Sequence, residues 1–220
     1  LPGVQSKLAE AILATGKPLV LVLVNGRPAA IPGLADKVNA LLEAWIPGEE
    51  GGRAVASVLF GEVNPAGRLP LSIPRSAGQI PVFYNHKPSG MHSNIYGDYT
   101  NEKTDPLFCF GHGLSYTHFK YSQLVIKNME AKPGESVDIS FTLTNAGERP
   151  GEEVVQLYVR DEYASLPRPV KELKGFARIH LQPGESKQVT FHLPVNQMAY
   201  YNDNLELVLE PGSFKVMIGG

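Results

Sequence analysis

The chain has 220 residues, 43% of them apolar and 19% charged, with a formal net charge of −2. That length holds one large domain or two of ordinary size, and the composition can bury a core. The near-neutral charge argues against nucleic acid and membrane surfaces as partners, and the single cysteine, Cys109, excludes an internal disulfide and a cysteine-based metal cluster.

The chain opens LPGVQSKLAEA without an initiator methionine, as expected of a processed product or a piece of something longer. VQSKLAEAILATG places Val4, Leu8 and Ile12 on one helical stripe and stops at Gly16. PLVLVLVNG follows, a continuous apolar run bounded by Pro18 and Gly26, as expected for a strand covered on both faces. The run is too short to span a bilayer and too late to be a signal peptide. VNALLEAWIPG reads as a second buried strand, EEGGRAVASVLFG as a helix and GRLPLSIP as an extended segment. Helices alternating with buried strands predict an α/β layer with a mainly parallel sheet. Two or three strands are about half of a usual α/β domain, which predicts preceding βα units.

The next stretch, Asn85 to Asp105, lacks apolar periodicity and is rich in Gly, Pro, Asn, His and Tyr. Loops of this length are usually functional or disordered. From Tyr121 the period becomes two: Val137, Ile139, Phe141 and Leu143, then Val155, Leu157 and Val159, then Val189, Phe191 and Leu193, then Phe214, Val216 and Ile218. Pro133-Gly134, Pro183-Gly184 and Pro211-Gly212 mark the turns. KPGESVDISFTL and QPGESKQVTFHL repeat one turn-and-strand pattern fifty residues apart. About seven short strands predict a fibronectin-III-like β-sandwich. The expected fold class is therefore α/β plus all-β, with a partial α/β sandwich layer at 1–82, a loop and linker at 83–118 and the β-sandwich at 119–220.

Glu49 and Glu50 are adjacent carboxylates, and glycoside hydrolysis uses a carboxylate pair. A retaining enzyme holds its two carboxyl groups about 5–5.5 Å apart and an inverting one about 6.5–9.5 Å apart, flanking the bond. Neighbours at a helix start seldom converge in that way, and the helix dipole gives a carboxylate there a structural role. GEEGGRA lacks the Gly-Lys-Ser/Thr of a P-loop, FGHGLSY is not a nucleophile elbow, and no H-E-x-x-H occurs. The six histidines show no metal-ligand spacing, so no metal site and no cofactor is expected. His180 and His192 fall in sandwich strands and are expected to face solvent. His86 and His92 lie in the long loop, where loop packing and sugar contact are both open readings. Arg27 follows the first strand, where it could pin a turn or meet a ligand at the sheet's C-terminal edge. Cys109, between two phenylalanines, is expected to be a small packed residue.

ATGKPLVLVLVNGRP, AWIPGEEGGRAVASVLFGEVNPAGRLPLSIP, YNHKPSG, DPLFCFGHGLSYTHFKYS and ELKGFARIHLQPGES, in this order, resemble the C-terminal region of glycoside hydrolase family 3 β-glucosidases over essentially the whole chain. The resemblance implies a (β/α)8 barrel, an α/β sandwich domain and a fibronectin-III-like domain in the complete enzyme. It also implies retaining removal of a terminal β-linked sugar, usually glucose, through a covalent glycosyl-enzyme. The family's nucleophile aspartate lies in the barrel and its acid/base glutamate upstream of the segment resembling LPGVQ, so no catalytic residue is expected in this chain. Glu50 matches the family's Gly-x-Glu-Gly-Gly turn, and Cys109 stands where the family more often has proline. The loop matching KPSG…YGDYT lies near the active-site mouth in relatives, which makes Lys87, Ser89, His92 and Tyr96, with Glu50, the candidates for substrate lining. The implied partners are a β-glucoside or short β-linked oligosaccharide and the barrel-bearing remainder of the enzyme. The implied compartment is the periplasm or the exterior. Two other readings stay open from sequence: a non-catalytic carbohydrate-binding or interaction module, and an independent hydrolase using Glu49 or Glu50.

Overall fold

A computed structural model of the chain describes residues 1–88, 92–93, 97–98 and 102–220, with backbone alone at 92–93 and 97–98. The chain forms two compact units. Unit 1 comprises Leu1–Val63, Leu69–Tyr84 and Met91–Phe110; unit 2 comprises Asn64–Arg68, Asn85–Gly90 and Gly111–Gly220. The architecture is a partial α/β layer followed by a fibronectin-III-like β-sandwich, as the sequence predicts.

Unit 1 runs α1 (Gln5–Leu13), β1 (Val20–Leu23), α2 (Pro32–Ala35), β2 (Ala40–Glu43), α3 (Gly51–Leu59), β3 (His92–Ser93) and β4 (Gly97–Asp98). α1 is built from good helix formers and closes at Gly16, whose backbone is left-handed at φ 71° and whose N–H returns to Leu13 O. β1 and β2 pair in parallel, Val20 opposite Ala40 through Leu23 opposite Glu43. Ala9, Leu23, Ile31 and Leu34 form the core, with Leu13, Leu21 and Leu41 packed around them. GRLPLSIP is extended, as expected, and makes one antiparallel bridge between Ile73 and Phe108.

Two expectations change here. The stripe of α1 exists, but it faces solvent: Val4 is 71% exposed, Leu8 62% and Ile12 38%, while Ala9 and Leu13 meet the core. The first strand is not covered on both faces, because Val20 and Val24 are exposed. The reason is common to both: among the described residues this sheet has only two strands, and each keeps one unpaired edge.

Unit 2 contains β5 (Phe119–Lys127), β6 (Ser136–Asn145), β7 (Gly151–Asp161), β8 (Glu172–Leu181), β9 (Ser186–Pro194), β10 (Tyr200–Tyr201), β11 (Leu207–Val208) and β12 (Phe214–Gly219). The sheets are β5-β6-β9 and β12-β7-β8, all antiparallel, with β10-β11 as a separate hairpin. The sequence echo has a structural counterpart. In each PGES turn the glutamate N–H donates to the residue three back (Lys132 O, Gln182 O; 3.0 Å each), and its carboxylate accepts from that same residue's N–H (2.8 and 2.7 Å). Gly134 and Gly184 take the left-handed conformation that both turns require. The two strands so launched, β6 and β9, then pair with each other.

Alternation places the inward residues where the period of two predicts. Ile139, Leu157, Val159 and Leu193 form one core cluster, and Phe141, Leu143, Val155, Leu181 and Val189 the other. The outer face of β7 is also covered: Gln156 Nε2 donates to Gly111 O at 3.2 Å, and Tyr158 hydroxyl donates to Gln156 Oε1 at 2.5 Å. Gly111 has a left-handed backbone at φ 81°, and a Cβ there would fall 2.2 Å from Gln156 Oε1, so glycine is favoured at this position.

Candidate functional site

In unit 1 a polar constellation sits at the C-terminal ends of the parallel strands, the edge where α/β sheets hold ligands. Glu43 closes β2, and its Oε1 accepts the Trp45 N–H at 3.1 Å while its Oε2 accepts Asn25 Nδ2 at 3.3 Å. Asn25 N–H donates to Trp45 O at 3.1 Å. These bonds hold Trp45, the only tryptophan, in a left-handed backbone with φ 52°. That conformation costs a non-glycine residue about 1–2 kcal/mol. Both Glu43 oxygens take part in this frame, so its carboxylate organises the edge. Sequence reasoning read Trp45 only as part of a strand, and the available signal was the Ile-Pro-Gly that follows it.

Glu49 and Glu50 stand exposed at the start of α3. Glu50 occupies the N-cap position, and its carbonyl accepts the Ala54 N–H at 2.9 Å, but its side chain makes no capping bond. The helix-start placement is as expected, with no side-chain capping bond. The turn is fixed instead by glycine, since a Cβ on Gly51 would lie 2.5 Å from Pro47 Cγ. Two exposed neighbours on one turn do not enclose a glycosidic bond. Arg27 is exposed on the turn after β1, where the side chain that pins the backbone is Asn25, whose Oδ1 accepts the Arg27 N–H at 3.3 Å.

Lys87 belongs to unit 2 and is exposed. Its carbonyl accepts from His86 Nδ1 at 3.0 Å, and the His86 carbonyl accepts the Val170 N–H at 2.9 Å. Ser89 and Tyr96 lie outside the described residues, and His92 is described only as backbone paired with Asp98. Lys87 and Glu50 fall in different units, each described by itself. Cys109 is exposed rather than packed, because Phe108 and Phe110 turn inward on either side of it. His180 and His192 face solvent as expected, with His192 Nδ1 2.6 Å from Asp138 Oδ1.

Unit 2 holds a buried ion pair. Arg68 Nη2 donates to Glu153 Oε2 at 2.7 Å with the side chains 8% and 4% exposed, and Tyr121 hydroxyl donates to Glu153 Oε1 at 2.9 Å. Burial first, and then the Glu153 charge, push the Tyr121 hydroxyl well above its ordinary pKa. His112 is held below its usual value of 6.5 by loss of hydration and then by the Arg68 charge, with partial exposure of the residue screening both. The folded state then binds this proton more weakly than the unfolded chain. The stability it contributes is present above pH 6.5 and is lost as pH falls through the lowered folded value. Unfolding followed from neutral to mildly acidic pH is expected to show a shallower decline in His112→Gln than in the parent. Equal slopes would remove His112 from the acid response.

Residues 1–116 match the model of the glycosyl hydrolase family 3 C-terminal domain. The chain belongs to glycosyl hydrolase family 3. Residues 153–220 match a fibronectin type III-like domain. A beta-xylosidase of Formosa agariphila is 47% identical over 217 residues, covering 99% of this chain and 30% of the relative. The periplasmic beta-glucosidase of Salmonella typhimurium is 45% identical over 225 residues, covering 100% of this chain and 29% of its own length. The crystal structure of the beta-glucosidase of Listeria innocua in complex with glucose superposes with a TM-score of 0.93 at 42% identity, over 100% of this chain and 31% of that one. The chain therefore spans about three-tenths of the length of these relatives.

Proposed function

We propose that this chain is the C-terminal portion of a retaining β-glucosidase that removes terminal β-D-glucosyl residues, with the nucleophile and the acid/base carried by the remainder of the enzyme. In this reading the chain completes one wall of the active site and braces the catalytic barrel. The observation that carries it is the uncovered apolar face of α1. Val4, Leu8 and Ile12 are exposed in one stripe, on a unit whose parallel sheet keeps unpaired edges among the described residues. A contiguous apolar stripe beside open strand edges marks a surface built to be covered. The relatives' additional length supplies a candidate cover.

Glu50, Lys87, Ser89, His92 and Tyr96 are the proposed substrate-lining residues, and within unit 1 the Trp45 edge of the sheet is proposed to face the substrate as well. The relatives include enzymes named for β-glucosides and for β-xylosides, so both sugars belong in the test. A periplasmic or secreted setting follows the Salmonella relative. Among the described residues no helix is long and apolar enough to cross a membrane.

The test is hydrolysis of aryl β-glucoside and aryl β-xyloside by the purified 220-residue chain, alone and mixed with a separately produced barrel-bearing remainder of a relative. The expected result is no turnover alone and β-glucoside turnover on mixing, lost when Leu8 is replaced by Glu. Turnover by the chain alone would overturn the reading, and Glu49→Gln and Glu50→Gln would then be the first variants to make.

A further inference from the structure

The parallel pairing in unit 1 runs past the ends of both strands. Ala44 N–H donates to Leu23 O at 2.9 Å, and Asn25 N–H donates to Trp45 O at 3.1 Å. There the chain leaves extended geometry, because Trp45 takes φ 52°. The Glu43 carboxylate fastens the break, accepting from Trp45 N–H at 3.1 Å and from Asn25 Nδ2 at 3.3 Å. Ile46 follows, 77% exposed and restricted by Pro47 after it. A non-glycine residue keeps such a conformation only where its surroundings over-determine it, and residues held in this way cluster at sites that clamp ligands.

The side chain fixed here is uncommitted. Trp45 is half-buried, yet among the described residues its indole Nε1 meets no acceptor and its ring makes no stacking or cation–π contact. Nε1 also keeps accessible surface, since it is not one of the buried unpaired atoms. Half-burial restrains the ring while part of it stays open. The edge therefore presents a preformed aromatic surface and a donor within reach of a ligand, at the end of the parallel strands where α/β sheets bind.

We propose that Trp45 is the stacking platform for a sugar ring of the β-linked substrate, with Glu43 as its positioning residue. This rests on the proposed function, which turns this edge toward the substrate. A β-glucosyl ring carries its substituents equatorially, so its axial C–H bonds make both faces apolar and flat enough to lie on an indole. The Nε1–H, at the rim of the platform, donates to a hydroxyl of the adjoining sugar unit. A β-xylosyl ring lacks only the hydroxymethyl group and keeps both faces. The platform accepts either sugar, and discrimination between them falls to other residues. Tryptophan supplies rigid contact area at low entropic cost, and the prefixed backbone lowers that cost further.

Trp45 is the only tryptophan, so fluorotryptophan incorporated into this chain gives one fluorine NMR signal that reports on this ring alone. The labelled 220-residue chain, mixed with the unlabelled barrel-bearing remainder of a relative, is titrated with methyl thiocellobioside, a β-linked disaccharide whose sulfur bridge resists hydrolysis. The signal is expected to shift saturably, and maltose, with its α linkage, to leave it in place. Aryl β-glucoside kinetics of the same mixture supply a second readout. Trp45→Gly suits the left-handed backbone while removing the ring. It is expected to raise KM about tenfold with kcat little changed, and Trp45→Phe to recover most of that loss. Glu43→Ala is expected to reproduce part of the KM rise, and Glu43→Gln, which keeps an acceptor for the Trp45 N–H, to reverse it. The proposal is overturned if thiocellobioside leaves the signal in place, if maltose moves it as far, or if Trp45→Gly keeps the parental KM. A signal that moves only when the remainder is added makes Trp45 an anchor between polypeptides and overturns it too. A sugar-dependent shift in a mixture without turnover supports the platform and counts against the catalytic assignment alone.

Discussion

Glu153→Ala is expected to lower the unfolding free energy of unit 2 by about 3–5 kcal/mol. The Arg68–Glu153 pair is almost wholly shielded from water, and Tyr121 uses the second carboxylate oxygen. Removing the carboxylate strands a guanidinium whose Nε already lacks a partner, together with a half-buried phenol. The large effect comes from the charge left behind rather than from any net strength of the pair, because desolvation offsets most of the Coulombic attraction. That distinction makes the prediction specific. The double variant Arg68→Met/Glu153→Leu is expected to be less destabilised than either Arg68→Ala or Glu153→Ala. Hydrogen exchange of the buried β6 and β7 amides measures this for unit 2 alone. A double variant worse than both singles would mean that the pair contributes substantial net attraction.

The ion pair also shows where sequence reading reached its limit. Arg68 and Glu153 are 85 positions apart, and no local pattern links them. The features that were legible are those written locally. The PGES turns were readable because turn chemistry needs only four neighbours, and the sandwich strands because burial on one face enforces a period of two. β10 and β11, of two residues each, are too short to show a period. Cys109 was misread because apolar neighbours suggest packing, whereas in an extended segment the residue between two inward-facing ones points outward. The α1 stripe was visible, but periodicity reports a face without saying what covers it. The left-handed backbone of Trp45 depends on tertiary hydrogen bonding, and the Ile-Pro-Gly after it marks a turn without giving that conformation. The candidate sites are consequently less legible than the fold, since a strained or unsatisfied group departs from the local rules that make sequence readable.

Asn145→Ala is expected to destabilise unit 2 by about 3–4 kcal/mol, through four hydrogen bonds lost at one fully buried position. Asn145 ends β6 with no exposed surface. Its Oδ1 accepts from the Thr117 hydroxyl at 2.6 Å and the Gly147 N–H at 3.1 Å, and its Nδ2 donates to Arg149 O at 2.7 Å and Leu181 O at 3.2 Å. The amide's two acceptor and two donor sites are thus all used. One side chain ties the segment entering β5, the β6–β7 turn and the end of β8 into a single corner of the sandwich. Asn145→Asp separates hydrogen bonding from packing, because it keeps the shape while turning two donors into a carboxylate facing two carbonyls. Burial would raise the pKa of that carboxyl in the folded state above its unfolded value of about 3.9. The sign follows: whatever stability the protonated form recovers is present at low pH and is lost as pH rises through the folded pKa. Asn145→Asp is therefore expected to be at least as unstable as Asn145→Ala at neutral pH, and to gain on the parent as pH falls. If its deficit relative to the parent is flat with pH, the two Nδ2 bonds are not what holds this corner, and packing around Thr117 takes their place.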